Sequence, residues 1–177
     1  GPRRRGRGPA VDLAKFHELD IVLICGLPAS GKSRFAATFF GSTGRKRVNR
    51  KEIRRLLYEM TSFGAVWSES TFSGVDEFLV KHVERKIIEH LLQGRQKVLV
   101  DNTSVSASSR DAYLSLAAQT RRSIGAIYLA TPAAKCLERN RARPDPVPET
   151  VISNLAASTE PPSTREGFRE VLIVKDG

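Results

Sequence analysis

Five apolar residues, Ile21-Val22-Leu23-Ile24-Cys25, run straight into Gly26-Leu27-Pro28-Ala29-Ser30-Gly31-Lys32-Ser33, and nothing else in the chain restricts the fold as strongly. The octapeptide satisfies G-x-x-x-x-G-K-[ST] at every fixed position, after a strand-like run and at the head of a helical stretch. Glycines there let backbone N–H groups turn inward around an anion, and the following helix N-terminus adds about half a positive charge. Gly26, Pro28, Ala29, Ser30, Gly31, Lys32 and Ser33 are thus the expected cradle for the phosphates of a nucleoside triphosphate. Lys32 is placed to reach the β- and γ-phosphates, and the Ser33 hydroxyl to hold Mg²⁺.

Beyond this point short apolar runs alternate with longer amphipathic ones. Strands are predicted at Ile21–Cys25, near Val48, at Lys97–Val100, Ala126–Leu129 and Val171–Val174. Helices are predicted at Lys32–Phe40, Arg50–Met60, Val75–Gln93, Ser106–Ala118, Ala133–Asn140 and Glu149–Ala157. In the longest, Val75, Leu79, Val83, Ile87 and Leu91 recur every four residues, with Phe78, Ile88 and Leu92 widening the stripe, Ser73 as N-cap and Gly94 as stop. The continuous Val/Ile/Leu runs suit strands covered on both faces. Alternating β and α then implies an α/β fold, a mainly parallel sheet with helices on both sides.

The formal net charge is +10, and four arginines lie in the first seven residues. Without those four the balance is still +6. A field of this sign suits either an anionic partner or a solvated cationic surface, and charge alone does not separate the two. Residues 1–18 read as a basic tail and lead-in, with Gly1-Pro2 as a protease scar, and 19–177 as one domain. No apolar run nears the ~18 residues of a membrane span, and none follows the N-terminal charges as in a secretory signal. Two cysteines are too few for a disulfide framework, so a cytoplasmic protein is expected, nuclear if eukaryotic. His17, His82 and His90 show no metal spacing, and neither Cys25 nor the Ser/Thr content suggests a nucleophile.

No N-K-x-D segment for reading guanine is present, which argues against a GTPase, and the chain is short for a motor ATPase. A phosphotransferase needs a mobile arginine lid over the transferring group. Arg139, Arg141 and Arg143 alternate just before Pro144-Asp145-Pro146-Val147-Pro148 and are placed to clamp phosphate oxygens. Asp101 ends a buried strand, on the edge of a parallel sheet that faces the ligand crevice, where a carboxylate holds metal-bound water or orients an arginine. As the competing role, Asp101 or Ser104 caps the next helix. Lys51 and Arg54 share a helix face beside Arg50, a cationic patch suited to a phosphodiester.

Together these segments resemble the P-loop 5′-hydroxyl polynucleotide kinase family, from about Asp20 to Val174. The family's G-x-x-G-S-G-K-S/T resembles Gly26–Ser33, and its N-R-D-x-x-R resembles Asn49-Arg50-Lys51-Glu52-Ile53-Arg54. Its acidic residue after the third strand resembles Asp101, and its lid R-x-x-x-R resembles Arg139 and Arg143 before a proline-led helix at Pro148. The resemblance implies a P-loop kinase-like parallel sheet with an arginine lid, and Mg²⁺-dependent transfer of the γ-phosphate of ATP, or another nucleoside triphosphate, to a 5′-OH end of DNA or RNA. It implies that Lys32, Arg139 and Arg143 act on the phosphates, that Arg54 contacts the acceptor, with Arg50 and Lys51 of the cationic patch beside it, and that Asp101 orients Arg54 or the metal shell.

The family's general-base Asp falls on Lys51, and an ordinary lysine is protonated at neutral pH. Three readings stay open: Glu52 or Asp101 serves instead, no base is needed because positioning dominates, or the site binds nucleotide without this chemistry. The rivals are a small-metabolite kinase and a nucleotide-binding nucleic-acid module. Residues 61–72 hold the single tryptophan, Trp67, as a base-stacking platform or an anchor to the body.

Overall fold

The computed structural model describes residues 12–69 and 76–175. Five strands form one parallel sheet: β1 (Ile21–Cys25), β2 (Lys46–Val48), β3 (Val98–Val100), β4 (Ile124–Leu129) and β5 (Glu170–Val174), in spatial order β2-β3-β1-β4-β5. β1, β3 and β4 are buried at every residue, as their unbroken apolar runs require. The alternating pleat sends Ile21, Leu23 and Cys25 to one face and Val22 and Ile24 to the other.

The first face is covered by α3 (Arg50–Thr61), α4 (Glu77–Gln93) and α5 (Ala107–Thr120). The second is covered by α1 (Ala14–Glu18) and α2 (Lys32–Phe40). The doubly covered parallel sheet expected from the sequence is therefore present. A third cluster joins α6 (Ala133–Arg141) and α7 (Glu149–Ala157) to Leu27 and Val105. Helix α1 lies in the stretch read as lead-in, yet its Phe16 and the preceding Leu13 are buried against the second face.

The buried stripe of α4 keeps Ile88 and Leu92 of the predicted one, with Val83 and Leu91 partly buried beside it, but is rotated away from Phe78, Leu79 and Ile87. Phe78 is exposed, Leu79 and Ile87 are about two-fifths exposed, and the core positions are Val80, Glu84, Ile88 and Leu92. The acidic Glu84 hid this stripe from a hydrophobicity argument. Its carboxylate enters the core because Arg50 Nε (3.0 Å), Asn102 Nδ2 (2.7 Å) and the Tyr113 hydroxyl (3.0 Å) all donate to it. Asp76 caps this helix; Ser73 and Val75, expected at its start, lie outside the described residues. Ser106, with a reciprocal Ser109 bond, caps α5, so neither Asp101 nor Ser104 does.

Candidate active site

The loop between β1 and α2 follows from two glycines. At Gly31 φ is +100°, a region open to glycine at little cost, and this residue begins α2. A Cβ on Gly26 would stand 2.6 Å from Ser30 Oγ and 3.1 Å from the Leu129 carbonyl. Ala29 holds φ +64° without that freedom, a strained position in the cradle. Lys32 Nζ folds back to donate to the carbonyls of Gly26 (3.0 Å) and Leu27 (2.8 Å). Burial pushes the Lys32 ammonium down to about 8, opposed by Asp101 and Cys25 and reinforced by repulsion from Arg143. Burial likewise pushes the Cys25 thiol up to about 12, so it is no nucleophile.

Two cavities meet at this loop. One, of about 400 Å³, lies between α2 and α6 and is bordered by Arg34, Phe35, Phe39, Arg139 and Arg143. The other is a cleft of about 700 Å³ running from Lys32, Ser33 and Asp101 past Arg143 to Arg50, Lys51 and Arg54. Arg143 borders both. Arg139 Nη1 lies 3.4 Å from the Ser30 carbonyl and 3.5 Å from that of Ala29. Arg139 lies in the last turn of α6 and Arg143 just past its end, both bordering the first cavity, whereas Arg141 turns outward to pair with Glu149 at 2.6 Å.

Asp101 sits at the C-terminal end of β3 with its side chain fully buried. Arg47 Nε donates to Oδ2 at 2.7 Å, Asn49 Nδ2 to Oδ1 at 3.0 Å, and Ser33 Oγ lies 3.5 Å from Oδ2. The expected Asp101–Arg54 contact does not form. Register explains this: Val48 pairs with Val100, so the residues beside Asp101 are those at the end of β2. Arg54 is a turn further along α3 and meets Glu77 at the start of α4, with Nη2 3.0 Å from Oε2. Glu52 is not in the cleft. Its carboxylate pairs with Arg47 Nη1 at 2.8 Å and borders a separate depression with Phe40 and Arg45. Arg50 borders the cleft while its guanidinium is bonded to Glu84.

Lys51 pairs with Glu69 at 2.7 Å. Glu69 comes from the segment after α3, and its backbone N–H donates to Asp145 in the turn between α6 and α7 at 3.1 Å. Trp67 anchors this segment, buried under the Arg55 guanidinium 5.8 Å from the ring centre, while Phe63 is fully exposed. Sequence reasoning missed Arg47, Glu69 and Asp145, because each acts through a partner distant in the chain. Asn49 carried a local signal: as N-cap of α3 it accepts the Glu52 N–H.

Among the described residues no cluster of three or more His, Cys, Asp or Glu could hold a metal, and no helix is long and apolar enough to cross a membrane. The Ser33 hydroxyl, with the Asp101 carboxylate 3.5 Å behind it, fits Mg²⁺, which takes one or two protein oxygens and otherwise phosphate and water.

Comparison with known proteins bears on this site. Among curated proteins the chain is similar to the L-seryl-tRNA(Sec) kinase of Methanococcus maripaludis, 28% identical over 145 residues, 82% of this chain and 54% of that one. It thus spans about half the length of that relative. Among solved structures it is similar to Chaetomium thermophilum Kti12 in complex with ADP-AlF3 (TM-score 0.65, 16% identity, 88% of each chain). It is also similar to a gluconokinase from Sinorhizobium meliloti 1021 (TM-score 0.56, 16% identity, 88% and 82% covered). A further match is a chain of the Pnkp1/Rnl/Hen1 RNA repair complex (TM-score 0.61, 21% identity, 78% and 43% covered). At these identities the structural likeness is one of fold. Residues 21–162 match the family described as an AAA domain, AAA_33, and with most of its length in that match the chain belongs to this family.

Proposed function

We propose that the protein transfers the γ-phosphate of ATP, or another nucleoside triphosphate, to a hydroxyl carried by a nucleic acid, with a 5′-OH end as the acceptor. One observation carries this reading. A single cleft joins the phosphate loop to the basic first turns of α3, placing Lys32, Ser33 and Arg143 at one end and Arg50, Lys51 and Arg54 at the other. The donor's phosphates belong at the loop end, where Lys32, Arg139 and Arg143 stabilise charge on the transferring group. Ser33 would hold Mg²⁺, with Asp101 behind its hydroxyl orienting the metal shell, and the ion would offset negative charge on the donor's phosphates. Lys51 and Arg54 bind the acceptor's backbone phosphate. Net charge of +10 favours such a partner.

The similarity to a kinase named for a seryl-tRNA favours a second acceptor in the same cleft, a hydroxyl borne by RNA away from its 5′ end. The test is transfer of γ-³²P from ATP with Mg²⁺ to 5′-OH DNA, 5′-OH RNA and seryl-tRNA, with Lys32→Ala as control and Lys51→Asp alongside. Label on the 5′-OH oligonucleotides that vanishes in Lys32→Ala supports the first reading. Label on seryl-tRNA alone replaces it with the second. Label on neither, with nucleotide still bound, moves the acceptor to a small metabolite.

A further inference from the structure

A kinase acting on a hydroxyl must take up the acceptor's proton, and three carboxylates border the cleft: Asp101, Asp145 and Glu69. Asp101 is fully buried and committed to Arg47, Asn49 and Ser33. Both oxygens of Asp145 lie within hydrogen-bond distance of the Glu69 backbone N–H, at 3.1 and 3.3 Å. Glu69 is different. Its carboxylate is held in the acceptor half of the cleft by Lys51, 2.7 Å away, with a tenth of the side chain exposed. Lys51 fixes the side chain and Asp145 fixes the backbone, so the group is positioned from both ends.

We propose that Glu69 is the catalytic base, a role that rests on the kinase reading above. The acceptor O–H gives its proton to the Glu69 carboxylate as the acceptor oxygen bonds to the γ-phosphorus. The bond from that phosphorus to the β,γ-bridging oxygen breaks, and its electron pair leaves with the nucleoside diphosphate, where Lys32 and Arg143 meet the charge. Lys51 serves as the cation that orients this base. Because Asp145 lies in the lid turn, the base and the arginine lid are mechanically joined.

The experiment compares wild type, Glu69→Gln and Lys32→Ala in two assays, transfer to a 5′-OH oligonucleotide and hydrolysis of ATP with water as acceptor, with the ADP-induced rise in Tm as a folding control. Glu69→Gln is expected to keep the ADP response while both rates fall, by about 100-fold or more. Should wild type label no oligonucleotide yet lose hydrolysis in Glu69→Gln, Glu69 stands and the 5′-OH acceptor falls. Should Glu69→Gln keep the wild-type rates that Lys32→Ala abolishes, the base assignment is overturned and the acceptor reading survives. A wild type inactive in both assays overturns both.

Discussion

Arg47 Nε lies 2.7 Å from Asp101 Oδ2, across the pair of strands β2 and β3. This bond places a cation from an edge strand against the buried carboxylate that also meets the phosphate-loop Ser33. The same guanidinium reaches Glu52 at 2.8 Å, which draws that residue away from the cleft bordered by Lys51 and Arg54. One arginine therefore decides the surroundings of two acidic residues.

Removing Arg47 leaves the Asp101 carboxylate buried with weaker compensation. Arg47→Met is expected to cost about 2–3 kcal/mol, below the usual cost for a broken buried pair because Arg47 is itself a third exposed. Glu52→Gln removes only an exposed partner and should cost under about 1 kcal/mol. Urea unfolding of both variants checks the contrast; equal costs would show that Asp101 does not depend on Arg47.

The Lys32 ammonium, held at about 8 against an ordinary 10.5, makes nucleotide binding pH-dependent. Phosphates favour its charged form, so above pH 8 binding takes up a proton and affinity falls as pH rises. Calorimetry at pH 8.5 in buffers of different ionisation enthalpy should show uptake that Lys32→Met abolishes. In the free protein the sign is opposite. Between about 8 and 10.5 the unfolded chain binds more of this proton than the folded one, so the contribution of Lys32 to stability rises with pH through that window.

The three lid arginines should separate by direction. Arg139→Ala and Arg143→Ala, which border the cavities at the phosphate loop, are each expected to lower kcat about 100-fold. Arg141→Ala, paired outward with Glu149 in solvent, should leave both kcat and stability essentially unchanged. Steady-state kinetics of the three variants decides it, and a comparable loss in Arg141→Ala would contradict the assignment.

Arg110 is fully buried and donates to both Glu166 oxygens (2.9 and 3.1 Å) and to the carbonyls of Ser104 and Glu160. Glu166→Ala leaves that guanidinium without its anion, at about 3–5 kcal/mol. Calorimetry should show Tm lower by about 10 °C, with the turnover of the folded protein unchanged at 25 °C.

The turn of the phosphate loop and the strands and helices that build the sheet were legible in the sequence because each is local. A glycine pattern or an apolar run carries its geometry within a few residues. What the sequence did not carry was which charges meet. It supplied Asp101 and Arg54, and only the β2–β3 register shows that Arg47 and Asn49 reach Asp101 while Arg54 meets Glu77. It marked Lys51 as a cation in an acidic residue's place, and only the return of the chain after α3 sets Glu69 against it. Glu84 is the same lesson inside the core: a carboxylate reads as surface until its three donors, from α3, α5 and the loop after β3, are brought together. Local propensity acts through neighbouring residues, but pairing of charges over tens of residues is settled by packing, because only the folded sheet and helices bring such groups within hydrogen-bond distance and exclude the water that would otherwise screen them.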